Sequence, residues 1–120
     1  MNPTEIHSYK LDAALEHGQI AALGTEPGHA TAADGSNFLI GVVIQPGPCA
    51  EGDIVDVAED GTARVLAAGA IAIGDWIGPD SSGSGIKATS GRVVGYALEA
   101  GAAGDLVLVR IQPTVLSSAT

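Results

Sequence analysis

Few residues in this chain have the types and spacing that chemistry requires. The single thiol, Cys49, lies in Pro46-Gly47-Pro48-Cys49-Ala50. A nucleophilic cysteine needs a nearby base and a lowered pKa, and its neighbours supply neither, so it reads as a small residue in a rigid turn. His7, His17 and His29 fall in the first quarter without an HxxxH-type spacing, and they read as solvated side chains rather than metal ligands. Asp53/Asp56 and Glu59/Asp60 are paired carboxylates, of the kind general acid–base catalysis uses; on a half-exposed strand and a turn they are ordinary surface groups. The run Asp80-Ser81-Ser82-Gly83-Ser84-Gly85 has the small residues of a phosphate cradle but lacks a following lysine and helix. It reads as a flexible hairpin tip. No catalytic residue, metal site or cofactor is expected, and the chain is read as a non-enzyme.

Gly-Asp recurs three times before an apolar run, as Gly52-Asp53, Gly74-Asp75 and Gly104-Asp105. Convergent carboxylates could hold a cation. Turn chemistry explains the repetition better: glycine supplies a positive φ, and the aspartate accepts a local backbone N–H. These six residues are expected to be structural.

The elements that position them are short. Runs at Phe38–Ile44, Asp53–Val57, Thr62–Leu66, Arg92–Leu98 and Asp105–Ile111 have strand length and composition. Weaker ones occur at Gln19–Leu23, His29–Ala32, Asp75–Gly78 and Ile86–Thr89. Asp60-Gly61 predicts a hairpin between DIVDV and TARVL. Only Tyr9–His17, with Leu11, Ala14 and Leu15 at helical spacing, suggests a helix; the same stretch suits an extended arm. The expected fold is mainly β, one compact domain of short antiparallel strands. The expected division is an N-terminal arm or short helix at 1–17, a β domain at 18–116 and a tail at 117–120.

The chain also repeats itself. Gly18-Gln19-Ile20 answers Gly74-Asp75-Trp76, Leu39-Ile40-Gly41-Val42 answers Val93-Val94-Gly95-Tyr96, and Glu51-Gly52-Asp53 answers Ala103-Gly104-Asp105. The offset falls from 56 to 54 to 52 residues along this alignment. Two diverged units are expected, with Thr62–Ile73 bridging them.

Composition limits the partners. The 120 residues include 17 Gly, 20 Ala and only four aromatics, so a thin aliphatic core is expected. A net charge of −9 leaves no basic footprint for nucleic acid and disfavours an anionic membrane surface. No apolar stretch approaches a membrane span, and residues 1–10 lack the pattern of a signal peptide. Trp76, a rare large aromatic, is a candidate interface anchor or a core residue.

Taken in order, Ala67-Ala68-Gly69-Ala70-Ile71-Ala72-Ile73-Gly74-Asp75, Val93-Val94-Gly95-Tyr96-Ala97-Leu98-Glu99 and Ala103-Gly104-Asp105-Leu106-Val107-Leu108-Val109 resemble the capsid cement, or head decoration, proteins of tailed bacteriophages. Leu39–Val42 followed by Glu51-Gly52-Asp53 matches the same template, and the resemblance covers about residues 13–116. The family's "DADG" turn is replaced here by the longer Pro79–Gly85. The resemblance implies a β-clip or β-tulip-like barrel without catalysis. It implies assembly as a homotrimer on the outer surface of the virion capsid, in contact with the major capsid protein, after synthesis in the host cytoplasm. Ile6, Tyr9 and Leu11 would be the apolar anchors of an arm ordering on that capsid. The alternative reading is a small β-clip module that binds a sugar or metabolite.

Overall fold

The computed structural model describes residues 6–44 and 48–116. Ten strands run in chain order: β1 Ile6–Leu11, β2 Ile20–Leu23, β3 His29–Ala32, β4 Leu39–Val43, β5 Ile54–Ala58, β6 Thr62–Leu66, β7 Trp76–Pro79, β8 Gly85–Lys87, β9 Gly91–Ala97 and β10 Leu106–Leu116. No helix occurs among the described residues. The chain is mainly β, as its turn punctuation implies.

The first five strands close a barrel in the order β1-β3-β2-β4-β5, and the last five form a sheet in the order β6-β10-β9-β7-β8. These are one arrangement used twice. β1 pairs with β5 as β6 pairs with β10; β2 pairs with β4 as β7 pairs with β9. The backbone hydrogen bonds repeat as well. Leu15 and Cys49 exchange a pair of bonds, and so do Ile71 and Gly101. Leu11 N–H donates to Asp53 O at 2.9 Å, as Ala67 N–H donates to Asp105 O at 2.9 Å. The repeat is thus longer than its sequence trace. Thr62–Leu66, expected to bridge the units, is instead the first strand of the second.

The units differ at one seam. In the first, β1 and β3 close the barrel through the parallel pairs Lys10↔His29 and Leu11↔Ala30. In the second, the matching seam has only the bridge Ala67↔Gly85.

Three local expectations are corrected. Tyr9–His17 is not helical: Tyr9–Leu11 belong to β1, Leu15 bridges to Cys49, and residues 16–19 form a turn. Leu11 and Leu15 are both buried at helical spacing, yet each reaches the barrel interior from a different extended segment. The boundary expected at residue 18 therefore falls inside the barrel, because β1 is one of its staves. Residues 1–5 of the expected arm and the tail at 117–120 lie outside the described residues. Third, Asp60-Gly61 makes no hairpin. β5 pairs with β1 and β4, while β6 pairs with β10, so this turn joins the two units.

The core is aliphatic. One cluster fills the first barrel with Leu11, Leu15, Val43, Cys49, Val55 and Val57. The other joins the units, packing Ile20 and Val42 against Val65, Ile77, Val94 and Val107. No aromatic ring is among the largest fully buried side chains.

Candidate interaction surface

The three Gly-Asp pairs build identical turns. Asp53 Oδ2 accepts the Ala50 N–H at 2.8 Å, Asp75 Oδ2 accepts that of Ala72 at 2.8 Å, and Asp105 Oδ2 accepts that of Ala102 at 2.9 Å. The intervening glycines have φ of +90°, +86° and +91°, which a side chain rarely tolerates. In each turn one carboxylate oxygen is held by the turn's own N–H, and the other oxygen of Asp75 lies 3.9 Å from Lys87 Nζ. Among the described residues, no group of three or more His, Cys, Asp or Glu side chains is arranged to hold a metal ion.

A fourth turn of the same kind escaped the Gly-Asp pattern because its acceptor is Gln19. Its Oε1 accepts the Glu16 N–H at 2.9 Å. An amide can also donate, and Gln19 Nε2 reaches Ser82 O and Ser84 Oγ, both at 3.2 Å. Ile20 N–H donates to Gly83 O at 2.7 Å. The segment read as a flexible hairpin tip is therefore tied to the first barrel. Asp80 Oδ1 shapes it from within, accepting the N–H groups of Ser82 and Ser84.

Cys49 is buried in the barrel core, and burial followed by the charge of Asp53 pushes its thiol above the ordinary value. That shift runs opposite to what a nucleophile needs.

Two histidines read as solvated have carboxylate partners. His29 Nδ1 lies 2.6 Å from Asp12 Oδ1. The His29 hydrogen bond, then those from Thr25, hold Asp12 below the usual carboxylate range. His7 Nδ1 lies 2.6 Å from Glu59 Oε2, which also accepts the Tyr9 hydroxyl at 2.8 Å.

Of the residues expected to meet a partner, Ile6 is exposed on β1 and Tyr9 is half-buried beside it. Leu11 is only 1% exposed; it belongs to the barrel core and offers no surface. Trp76 is half-buried, edge-on to Tyr96 with ring centroids 5.4 Å apart.

Burial, then the Glu59 hydrogen bond and charge, push the Tyr9 phenol up to about 12. The folded chain therefore holds this proton more tightly than the unfolded chain, whose tyrosines titrate near ~10. The resulting stability is complete below about pH 10 and is lost as pH rises towards 12. Phenolate absorbance of the wild type, compared with Tyr9→Phe, should place one tyrosine well above the ordinary range. Ionisation of Tyr9 near pH ~10 would contradict the Glu59 contact.

A surface groove joins residues that the sequence reading did not associate. Phe38, Leu39, Arg92, Val93 and residues 113–115 line an open groove of 190 Å3. Phe38 is 61% exposed and Val115 62%. The Arg92 guanidinium carbon sits 4.2 Å from the centroid of the Phe38 ring, a cation–π contact. A scarce aromatic at the lip of an apolar strand was the available sequence signal.

A family model described as phage cement protein matches residues 2–111. Among solved structures, the head fiber gp8.5 N base of bacteriophage phi29 shares the fold, with a TM-score of 0.70 at 20% identity over 92% of this chain and 95% of that one. No curated protein matches the sequence.

Proposed function

Because this chain belongs to the phage cement protein family, we propose that it binds the outside of an icosahedral phage head as a homotrimer and clamps neighbouring major-capsid subunits against internal pressure. Membership makes it a capsid-associated structural protein. The observation that supports this reading is a family match that runs across both five-stranded units, from residue 2 to residue 111. Large apolar side chains exposed on an acidic surface, among them Ile6, Phe38, Ile54, Ile73 and Val115, are consistent with partners. Ile6 and Tyr9 are proposed capsid contacts. Trp76 is the proposed anchor between copies, since a half-buried indole has ring surface left to bury. The reading contains no catalytic step. A small-ligand module gains nothing from the groove, whose 190 Å3 falls short of the roughly 300 Å3 at which small-molecule pockets begin.

Heads carrying the protein should release their DNA at a higher temperature than heads lacking it, and sedimentation should show a trimer. Equal release temperatures would sink the clamping role. A stable monomer that also occupies heads singly would sink the trimer.

A further inference from the structure

The second unit carries a part that the shared scaffold does not need. β5 ends at Ala58, whose counterpart in β10 is Arg110, yet β10 continues to Leu116. After a register break between Ile111 and Thr114, this extension pairs with the start of β9 through Thr114↔Val93, Val115↔Arg92 and Leu116↔Gly91. Its other edge is open. β6 reaches only Arg110, and Gly61 O takes the Ile111 N–H. Among the described residues, no strand covers that edge from 112 to 116. The extension also lies past residue 111, where the family match ends, so the shared family pattern does not account for it.

The groove lies along this extension. No acidic residue lines it, although the chain carries a net charge of −9. Arg92 forms no ion pair among the described residues. An open strand edge presents main-chain donors and acceptors to another strand. Exposed Phe38 and Val115 favour an apolar side chain between them. A guanidinium already positioned over a ring can still take a carboxylate in two parallel hydrogen bonds. Pro113 removes one donor from the edge, which discourages indiscriminate pairing and leaves selection to the side chains.

We propose that the open edge of β10 at residues 112–116 receives an extended segment of the shell subunit. That segment adds as a strand, seats an apolar side chain between Phe38 and Val115, and sets a carboxylate on Arg92. The proposal rests on the head-binding reading above. The shell segment is the occupant the head-binding reading assigns to this edge: the groove's Arg92 and its lack of acidic lining complement a carboxylate-bearing segment, and a second copy in the groove is a separate outcome of the test.

The test compares binding of wild type, Val115→Asp, Arg92→Glu and Arg64→Glu to heads stripped of the protein. Arg64 pairs with Glu99 outside the groove, so Arg64→Glu controls for overall charge. Val115→Asp and Arg92→Glu should each weaken binding about tenfold or more, with Arg64→Glu close to wild type. Hydrogen exchange of the wild type should show amides of 112–116 slowing on the head, a readout that needs no variant to fold. Wild-type affinity in both groove variants, or unchanged exchange, overturns the proposal while head binding stands. Variants that lose self-association but keep head affinity also overturn it, by placing a second copy in the groove. Failure of the wild type itself to bind heads removes the underlying reading, and the proposal with it.

Discussion

Gly95→Ala should destabilise the fold by about 3 kcal/mol or more, lowering Tm by roughly 10 °C. A Cβ at this position would collide with the backbone carbonyl of Arg110 on β10. The obstacle is main chain on a paired strand, so no side-chain rotation relieves it; β9 and β10 must separate where they are hydrogen-bonded. Gly41 occupies the equivalent place in the first unit, against the carbonyl of Ala58, and the same outcome is expected there. Gly28→Ala makes the informative control. Gly28 has φ +79° with open space around it, so it should lose only the ~1 kcal/mol of a left-handed backbone. Thermal melting of the three variants decides the matter: a Gly95→Ala protein melting within about 2 °C of wild type would show that the strands are not this close.

Gln19→Glu should cost about 2–3 kcal/mol at neutral pH. The change is nearly isosteric and keeps an oxygen for the Glu16 N–H. It replaces the donor to Ser82 O and Ser84 Oγ with a carboxylate, at a position only 9% exposed. An acid facing a carbonyl is favoured in its protonated form, so its folded pKa should rise above the ordinary ~4.3. The sign follows: the deficit is present above that raised value and closes as pH falls below ~4, where the neutral acid can donate again. The quantity to measure is the stability difference between variant and wild type across pH, which removes the acid sensitivity common to both. A deficit that does not depend on pH would mean that the amide donor is not what joins the two units.

Both predictions depend on features only half visible in the sequence. Leu39-Ile40-Gly41-Val42 and Val93-Val94-Gly95-Tyr96 resemble each other, but nothing local says that a neighbouring carbonyl forbids a Cβ there. Gln19 aligned with Asp75, and its turn role follows from that. Its second role depends on Ser82 and Ser84, more than sixty residues away. β1 imitates a helix for a related reason. Its outward positions are polar or only partly covered, so the alternation of a strand is faint, while Leu11, Ala14 and Leu15 imitate a helical stripe. Asp60-Gly61 carries a hairpin signal, and turn chemistry is the same whether the flanking strands pair with each other or with others.

Local sequence chemistry was enough for the strands β2 to β9, for β10 as far as Ile111, for the glycine turns that launch them, for the doubling of the unit and for the aliphatic core. Each follows from chemistry within a few residues or from a pattern that survives alignment: a positive φ that glycine permits, an acceptor three residues from its donor, an alternation of period two. Long-range pairing set the rest: which strands are neighbours, why one unit closes through β1 and β3 while the other is held by a single bridge, the continuation of β10 to Leu116, and how Phe38, Arg92 and Val115 come to share a groove. Those outcomes depend on contacts between residues far apart in the chain, where the free energy of pairing and burial outweighs local preference.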